Sequence, residues 1–356
     1  MIAIIGGGII GTAIAYYLSK AGVKDITLYE KEKLLGTGAT QYCSGGIRYQ
    51  FTTPINVKFS LEAFPELEKF DIGIKRYGYL ILDMQTDSMP RVKMQNDLGV
   101  MSEYLTPADV KKRFPYINIE GMKSASFHGK DGIAEPAKLL EIYEKGAKQS
   151  GVKFNLGTEV NRLIKNGDKV TGIEVQGKII GTEKVILAAG AWSKELGRTI
   201  GIDLPFVRRR KYVLVVKGFE FDFPVIMEIP TGWYIKKEGE DALVGMSGKE
   251  EKVDFELQAE SEQETIEASI KRFPQTESSS VKRILSTMSD EVADKHAIID
   301  DHVPGLIIAT GFSGHGFMHS PAAGKVVTAI LKGEKLPLDA SELKLHRKHI
   351  KEPIAI

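Results

Sequence analysis

Cysteine is almost missing: of 356 residues only Cys43 carries a thiol. One thiol forms no intrachain disulfide and no multi-cysteine zinc or iron–sulfur site. No apolar run reaches the length of a membrane span, and an apolar strand starting at Ile2 leaves no room for a signal peptide. Excess charge is equally scarce. Forty-eight basic residues stand against 47 acidic ones, a formal net charge of +1 spread along the chain, which gives no footprint for nucleic acid. Internal repeats, low-complexity tracts and metal-ligand clusters are absent, so the expectation is a cytoplasmic protein without metal. What is present is ordinary globular material, 42% hydrophobic and 27% charged. The length exceeds the roughly 250–300 residues at which one core stops growing, so two domains are expected.

The most informative stretch is Met1 to Glu30. An apolar strand (Ile2 to Ile5) runs into a turn carrying Gly6, Gly8 and Gly11, then a helix through Ile9 and Ile10, a second strand (Ile26 to Tyr29) and an acid, Glu30, followed by Lys31. Gly6 permits the sharp turn, Gly8 lets the backbone approach a pyrophosphate, and Gly11 lets helix and strand pack closely. The helix N-terminus offers free N–H groups and partial positive charge to phosphates. Glu30 is spaced to accept from ribose hydroxyls. Dinucleotide binding follows; NAD or FAD does not.

Lys31 to Gln50 forms a glycine- and hydroxyl-rich loop holding Gly36, Gly38, Ala39, Thr40, Ser44, Gly45, Gly46, Ile47 and Arg48, suited to wrapping a phosphate-bearing ligand. Cys43 within it reads as a gap-filling residue. Phe51 to about Gly132 lacks βαβ rhythm and reads as an insertion belonging to a second domain. A helix with proline in its first turn follows from Pro136 to Ser150, then short strands between Val152 and Gly181. Such a meander inside a nucleotide-binding domain favours FAD over NAD. Lys184 to Trp192 is a buried strand ending in small residues, Ala188, Ala189 and Gly190, against which a flat ligand can lie.

Val207 to Lys217 reads as a strand opening on Arg208, Arg209, Arg210 and Lys211, either a solvated edge or, for half of the side chains, inward cations. Further antiparallel strands precede a charged helix from Phe255 to Phe273. Near the end, the strand Leu306 to Ala309 leads through Gly311, Gly314, His315, Gly316, Phe317 and Met318 to a helix expected from about Pro321 to Leu331. Its N-terminus is placed to face a flavin's N1–C2=O edge. The tail from Lys344 to Lys351 reads as a solvated helix end.

These residues together, above all the run IIATGFSGHGFMHSPAAGK with AAGAW and the Ser44 to Arg48 loop, resemble the D-amino-acid oxidase superfamily of FAD enzymes, nearest to sarcosine oxidase β subunits, dye-linked L-proline dehydrogenase β subunits and glycine oxidase. The resemblance spans Met1 to Leu331. It implies an α/β fold, a Rossmann-like FAD-binding domain (residues 1–50, 133–204 and 295–356) with an α+β substrate domain on an antiparallel sheet (51–132 and 205–294). It implies backbone contact of Val160 with the adenine, Ala189, Gly190 and Trp192 beside the cofactor, Arg48 near the flavin's reactive ring, and Gly314, His315, Gly316 and Met318 along its pyrimidine edge. Monomeric sarcosine oxidases attach FAD through a cysteine just before the segment that here reads Met288 to Glu291; none is present, so FAD is expected to be noncovalent. They also carry a lysine where Met318 stands and an oxygen-activating lysine on a strand like Ala242 to Gly245. Both losses favour a dehydrogenase that hands electrons to a carrier.

The expected reaction is oxidation of the C–N bond of a small, secondary amino acid such as L-proline or sarcosine, with hydride passing from the α-carbon to flavin N5 and leaving an imine. Arg48 and then Arg210 are the candidate carboxylate cations. Tyr49, Tyr212, Trp233 and Tyr234 are candidates for an apolar wall, and His315 for flavin or substrate contact. Rival readings are a 2-hydroxy-acid or glycerol-3-phosphate dehydrogenase of the same fold, a flavin-bearing subunit of a homo- or hetero-oligomer, and an NAD enzyme.

Overall fold

A computed structural model describes residues 1–250 and 259–348. Its organising layer is a six-stranded sheet in the order Ile298–Asp300, Leu306–Thr310, Lys184–Leu187, Ile2–Ile5, Ile26–Tyr29, Lys153–Asn155. All neighbours are parallel except the antiparallel edge pair Ile298–Asp300 and Leu306–Thr310. The central strands are buried on both faces, which is why they read as unbroken aliphatic runs. Helices Ile9–Lys20, Pro136–Gln149 and Gly316–Lys332 pack together on one face. On the other lies a three-stranded meander, Val160–Asn166, Lys169–Val175 and Lys178–Gly181.

The second layer is an eight-stranded sheet in the order Val281–Val292, Phe206–Lys217, Asp241–Glu250, Tyr234–Glu238, Val225–Ile229, Tyr79–Asp83, Ser124–His128, Glu103–Leu105. Its outer face carries a separate core that includes Trp233, Leu214, Phe273 and Phe127.

Four sequence expectations shift. Helix Pro54–Leu67, assigned with residues 51–132 to the second domain, packs on the last helix, and Phe51, Phe59, Phe64 and Leu67 join the nucleotide layer's core. The last helix begins at Gly316, a turn and a half before the expected Pro321. Proline removes the N–H that would satisfy the Phe317 carbonyl, but Ser320 Oγ donates to that carbonyl at 2.9 Å, so the helix passes through. The basic tail is no solvated helix end where it is described: the Arg347 guanidinium is 4% exposed and meets Asp294 at 2.8 Å. The charged helix spans Ala259–Arg272, with the earlier part of the expected range outside the described residues. It is not wholly exposed, because the guanidinium of Arg272 is buried against Glu228 at 2.6 Å.

Candidate active site

Between the carboxyl ends of the parallel strands and the inner face of the large sheet lies a cavity of about 810 Å³. Such strand ends are where open α/β sheets bind ligands. One end is the glycine turn. Gly6 adopts φ 108°, and a Cβ on Gly11 would stand 1.9 Å from the Gly6 carbonyl oxygen, so Gly11 serves close helix–strand packing without lining the cavity. Gly8, by contrast, faces the cavity, and a Cβ there would meet only Thr40 Oγ1 at 3.5 Å. Thr40 already accepts from the Ile9 N–H at 3.0 Å, which ties the 36–48 loop to the helix N-terminus. Glu30 accepts from Gly7 N at 2.6 Å and lines the cavity with Ile9, Ile10, Lys31, Gly38 and Ala39. Lys31 lies over the Trp192 ring at 4.2 Å, and Val160, Ala189 and Gly190 complete this end.

The middle is framed by the last helix. Gly314, His315, Gly316, Phe317 and Met318 line the cavity at its N-terminus. The turn that delivers them is pinned to strand Val281–Val292. Asp290 accepts from Gly311 N at 2.6 Å and from Thr310 Oγ1 at 3.0 Å, its own carbonyl accepts from Ser313 N at 3.2 Å, and Val292 N donates to Ser313 Oγ at 3.1 Å. These bonds hold Ser313, a non-glycine residue, at φ 52°. Gly311 (φ 70°) is therefore structural and does not line the cavity.

At the far end stand Ser44, Gly46, Arg48, Tyr79, Lys211, Met227 and Tyr234. Gly46 and Gly245 seat the two tyrosines: a Cβ on Gly46 would stand 2.1 Å from Tyr79 Oη, and one on Gly245 would stand 2.5 Å from the Tyr234 ring. Burial raises both phenol pKa values above the usual range, so both hydroxyls stay protonated. Arg48 is 2% exposed, and burial lowers its pKa to about 10, still charged at neutral pH. Its Nη1 donates to Gln50 O at 2.8 Å, its plane lies over Phe51 at 4.2 Å, and Nη2 meets His315 Nε2 at 3.3 Å. Burial and the Arg48 charge hold the His315 pKa well below 6.5. A guanidinium only donates, so Nε2 accepts and the ring proton sits on Nδ1, which is buried without a hydrogen-bond partner among the described residues.

Four of the substrate-side candidates do not reach the cavity. Alternation along Phe206–Lys217 turns Arg210 (0% exposed) and Tyr212 away from it and presents Lys211 and Val213, so Lys211 takes the position expected of Arg210. Trp233 is likewise turned into the second core, where its Nε1 donates to Ser269. Tyr49 packs against Phe64, and of the four aromatics proposed as a wall only Tyr234 lines the chamber. The arginine run is not a solvated edge either: Arg208 donates to Ala191 O at 2.8 Å, and Arg209 approaches Glu291 at 3.4 Å. Gly45 and Ile47 are structural, the first because a Cβ would strike Ala134 O and the second because it is fully buried in the nucleotide core. Sequence reasoning missed Tyr79, Met227 and Lys295; only the sheet register, pairing Tyr79 with Val225 and Met227 with Tyr234, brings the first two beside the 36–48 loop.

The glycine turn, Glu30 and the helix N-termini fit a dinucleotide. The cavity extends beyond them past the orphaned Nδ1 of His315, with room for a fused ring system between the last helix and the large sheet. Fold and site thus define a flavin-dependent oxidoreductase. The chain belongs to the FAD-dependent oxidoreductase (DAO) family, whose family model matches residues 1–330, and FAD is its cofactor. It is 28% identical to FAD-dependent oxidoreductase domain-containing protein 1 of Xenopus laevis, across 99% of this chain and 83% of that protein. It is 25% identical to mitochondrial dimethylglycine dehydrogenase of Rattus norvegicus, across 97% of this chain but only 44% of that protein, so it spans less than half of that relative's length. Among solved structures, L-proline dehydrogenase from P. horikoshii matches with a TM-score of 0.87 and 27% identity, covering 97% of this chain and 96% of that one. Among the described residues no helix is long and apolar enough to cross a membrane.

Proposed function

We propose that the protein oxidises the C–N bond of a small, secondary amino acid such as L-proline or sarcosine. FAD supplies the two-electron acceptor for this chemistry when bound. The residues assigned to hold it are Gly6, Gly8, Ile9, Ile10, Glu30, Lys31, Gly38, Ala39, Thr40, Ser44, Gly46, Val160, Ala189, Gly190, Trp192 and Gly314 to Met318. With no cysteine in the 288–291 segment, attachment is noncovalent.

The observation that carries the reading is the Arg48 to His315 contact. Oxidising an alcohol calls for a base to take the hydroxyl proton, whereas an amine that enters neutral already offers its lone pair. His315 is the imidazole that faces the chamber, and its basic nitrogen is engaged by Arg48, so the arrangement favours an amine over a hydroxy acid. The chamber is positive at Arg48 and Lys211, which suits a carboxylate and disfavours a protonated amine. Tyr79, Tyr234 and Met227 form the wall around the remaining apolar part of the substrate.

Anaerobic mixing of the purified yellow protein with L-proline, sarcosine, glycine, D-amino acids, lactate and 2-hydroxyglutarate, followed at about 450 nm, tests this. Bleaching by an amino acid supports it. Bleaching by a hydroxy acid alone overturns it. Air readmitted afterwards separates oxidase from dehydrogenase by the speed at which colour returns.

A further inference from the structure

Strand Phe206–Lys217 delivers one ammonium into the chamber, that of Lys211. It lies 2.9 Å from where a Cβ on Gly314 would stand, so it reaches over the glycine turn at a point where only bare backbone leaves room. Glu291 accepts from it at 3.1 Å and from Lys295 at 2.5 Å, with Arg209 Nε behind at 3.4 Å. Burial pushes the Glu291 carboxyl up, but Lys211 and Lys295 outweigh it and hold its pKa at about 2. One carboxylate therefore answers two ammonium groups, Lys211 and Lys295. The surplus positive charge faces the cavity, which Lys211 and Lys295 both line.

Arg48, a further cation lining the chamber, has its guanidinium fixed by the Gln50 carbonyl, the Phe51 ring and His315. Met318, at the start of the last helix, is apolar and 5% exposed. We propose that Lys211 is the residue that recognises the substrate's carboxylate, with Glu291 aiming its ammonium; this deepens, and rests on, the amino-acid reading above. The substrate class it selects is an α-amino acid, and an amine without a carboxylate is selected against.

The test uses FAD-loaded wild type, Lys211→Met and Lys211→Arg. Each is mixed anaerobically with L-proline and sarcosine, and with their decarboxylated counterparts pyrrolidine and dimethylamine. Each is also titrated with tetrahydrofuran-2-carboxylate, an unoxidisable ring carboxylate, by the shift in flavin absorbance. A lost charge-assisted hydrogen bond predicts that Lys211→Met stays yellow while the half-saturating amino acid and carboxylate concentrations rise about 10- to 100-fold. The decarboxylated amines should respond equally in wild type and variant, and Lys211→Arg should recover most of the loss. Unchanged half-saturation overturns the proposal, as does equal weakening toward acids and amines, or a change confined to reoxidation by oxygen. Wild type that binds the carboxylate through Lys211 yet is bleached by no amino acid leaves the residue assignment standing and fells the amine reading instead.

Discussion

Nη2 of Arg48 and Nε2 of His315 meet at 3.3 Å in a buried pocket where, among the described residues, no carboxylate forms an ion pair with the guanidinium. A buried charge without a counter-ion lowers stability unless a ligand supplies the missing anion. Here the Gln50 carbonyl, the Phe51 ring and His315 Nε2 fix the guanidinium without neutralising it, so its burial lowers stability.

Replacing that guanidinium should separate function from stability. Arg48→Met is expected to slow anaerobic flavin reduction by about 100-fold, the usual consequence of losing one preorganised donor at a reacting centre. The apoprotein should unfold at the same temperature as wild type or higher, because the uncompensated charge is gone. Stopped-flow reduction and a thermal melt of the apoprotein check both halves.

Acid should destabilise the fold through the two histidines of the last helix. Ser60 spends its one proton on Arg48 O, so His319 Nε2 donates to Ser60 Oγ at 3.1 Å and the ring stays neutral. Burial, then the Arg48 charge, lower the His319 pKa to about 3. A folded-state value below the unfolded one means that the unfolded chain binds the extra proton. The stabilisation is whole above about pH 6.5 and is lost as pH falls toward 3. Between pH 6.5 and 5 this one group removes about 2 kcal/mol. Urea midpoints over that range should fall in wild type and fall less steeply in His319→Gln.

Two glycines of the same turn should fail differently, one in folding and one in binding. Gly11→Ala forces a methyl against the Gly6 carbonyl and should destabilise the apoprotein by about 2 kcal/mol or more. Gly8→Ala, at φ −72° with open space before it, should leave apoprotein stability within about 0.5 kcal/mol of wild type while weakening FAD binding at least tenfold. Chemical unfolding and a flavin titration of each apoprotein decide the matter.

Cys43 lines the cavity, but burial raises its thiol pKa, and the Gly45 N–H contact only partly offsets that. The thiol should therefore stay protonated and alkylate slowly at pH 8 in the folded protein. Cys43→Ser should remain yellow. Acid precipitation of wild type should release all of the flavin into the supernatant, and colour retained in the pellet would contradict noncovalent binding.

The nucleotide half was legible because it is local. Gly6, Gly8, Gly11 and Glu30 act within thirty residues, and alternation or helical spacing fixes where they point. The chamber is non-local. Tyr79 faces the 36–48 loop only because a parallel pairing sets it beside Val225, a relationship no short window contains. Arg210 and Lys211 differ by one step of the pleat, so a pattern that located the strand did not decide which cation faces inward. Pro321 hid the start of the last helix because its missing N–H is answered by Ser320, a compensation visible only in three dimensions.

The Asp290 carboxylate and carbonyl, which belong to the eight-stranded sheet, hold the turn that begins the last helix of the nucleotide layer. A hinge between the layers would have to break those bonds and release Ser313 from its left-handed backbone on every cycle. The two layers are therefore joined at the very turn that lines the cavity, so a change in the Val281–Val292 strand is transmitted directly to the start of the last helix.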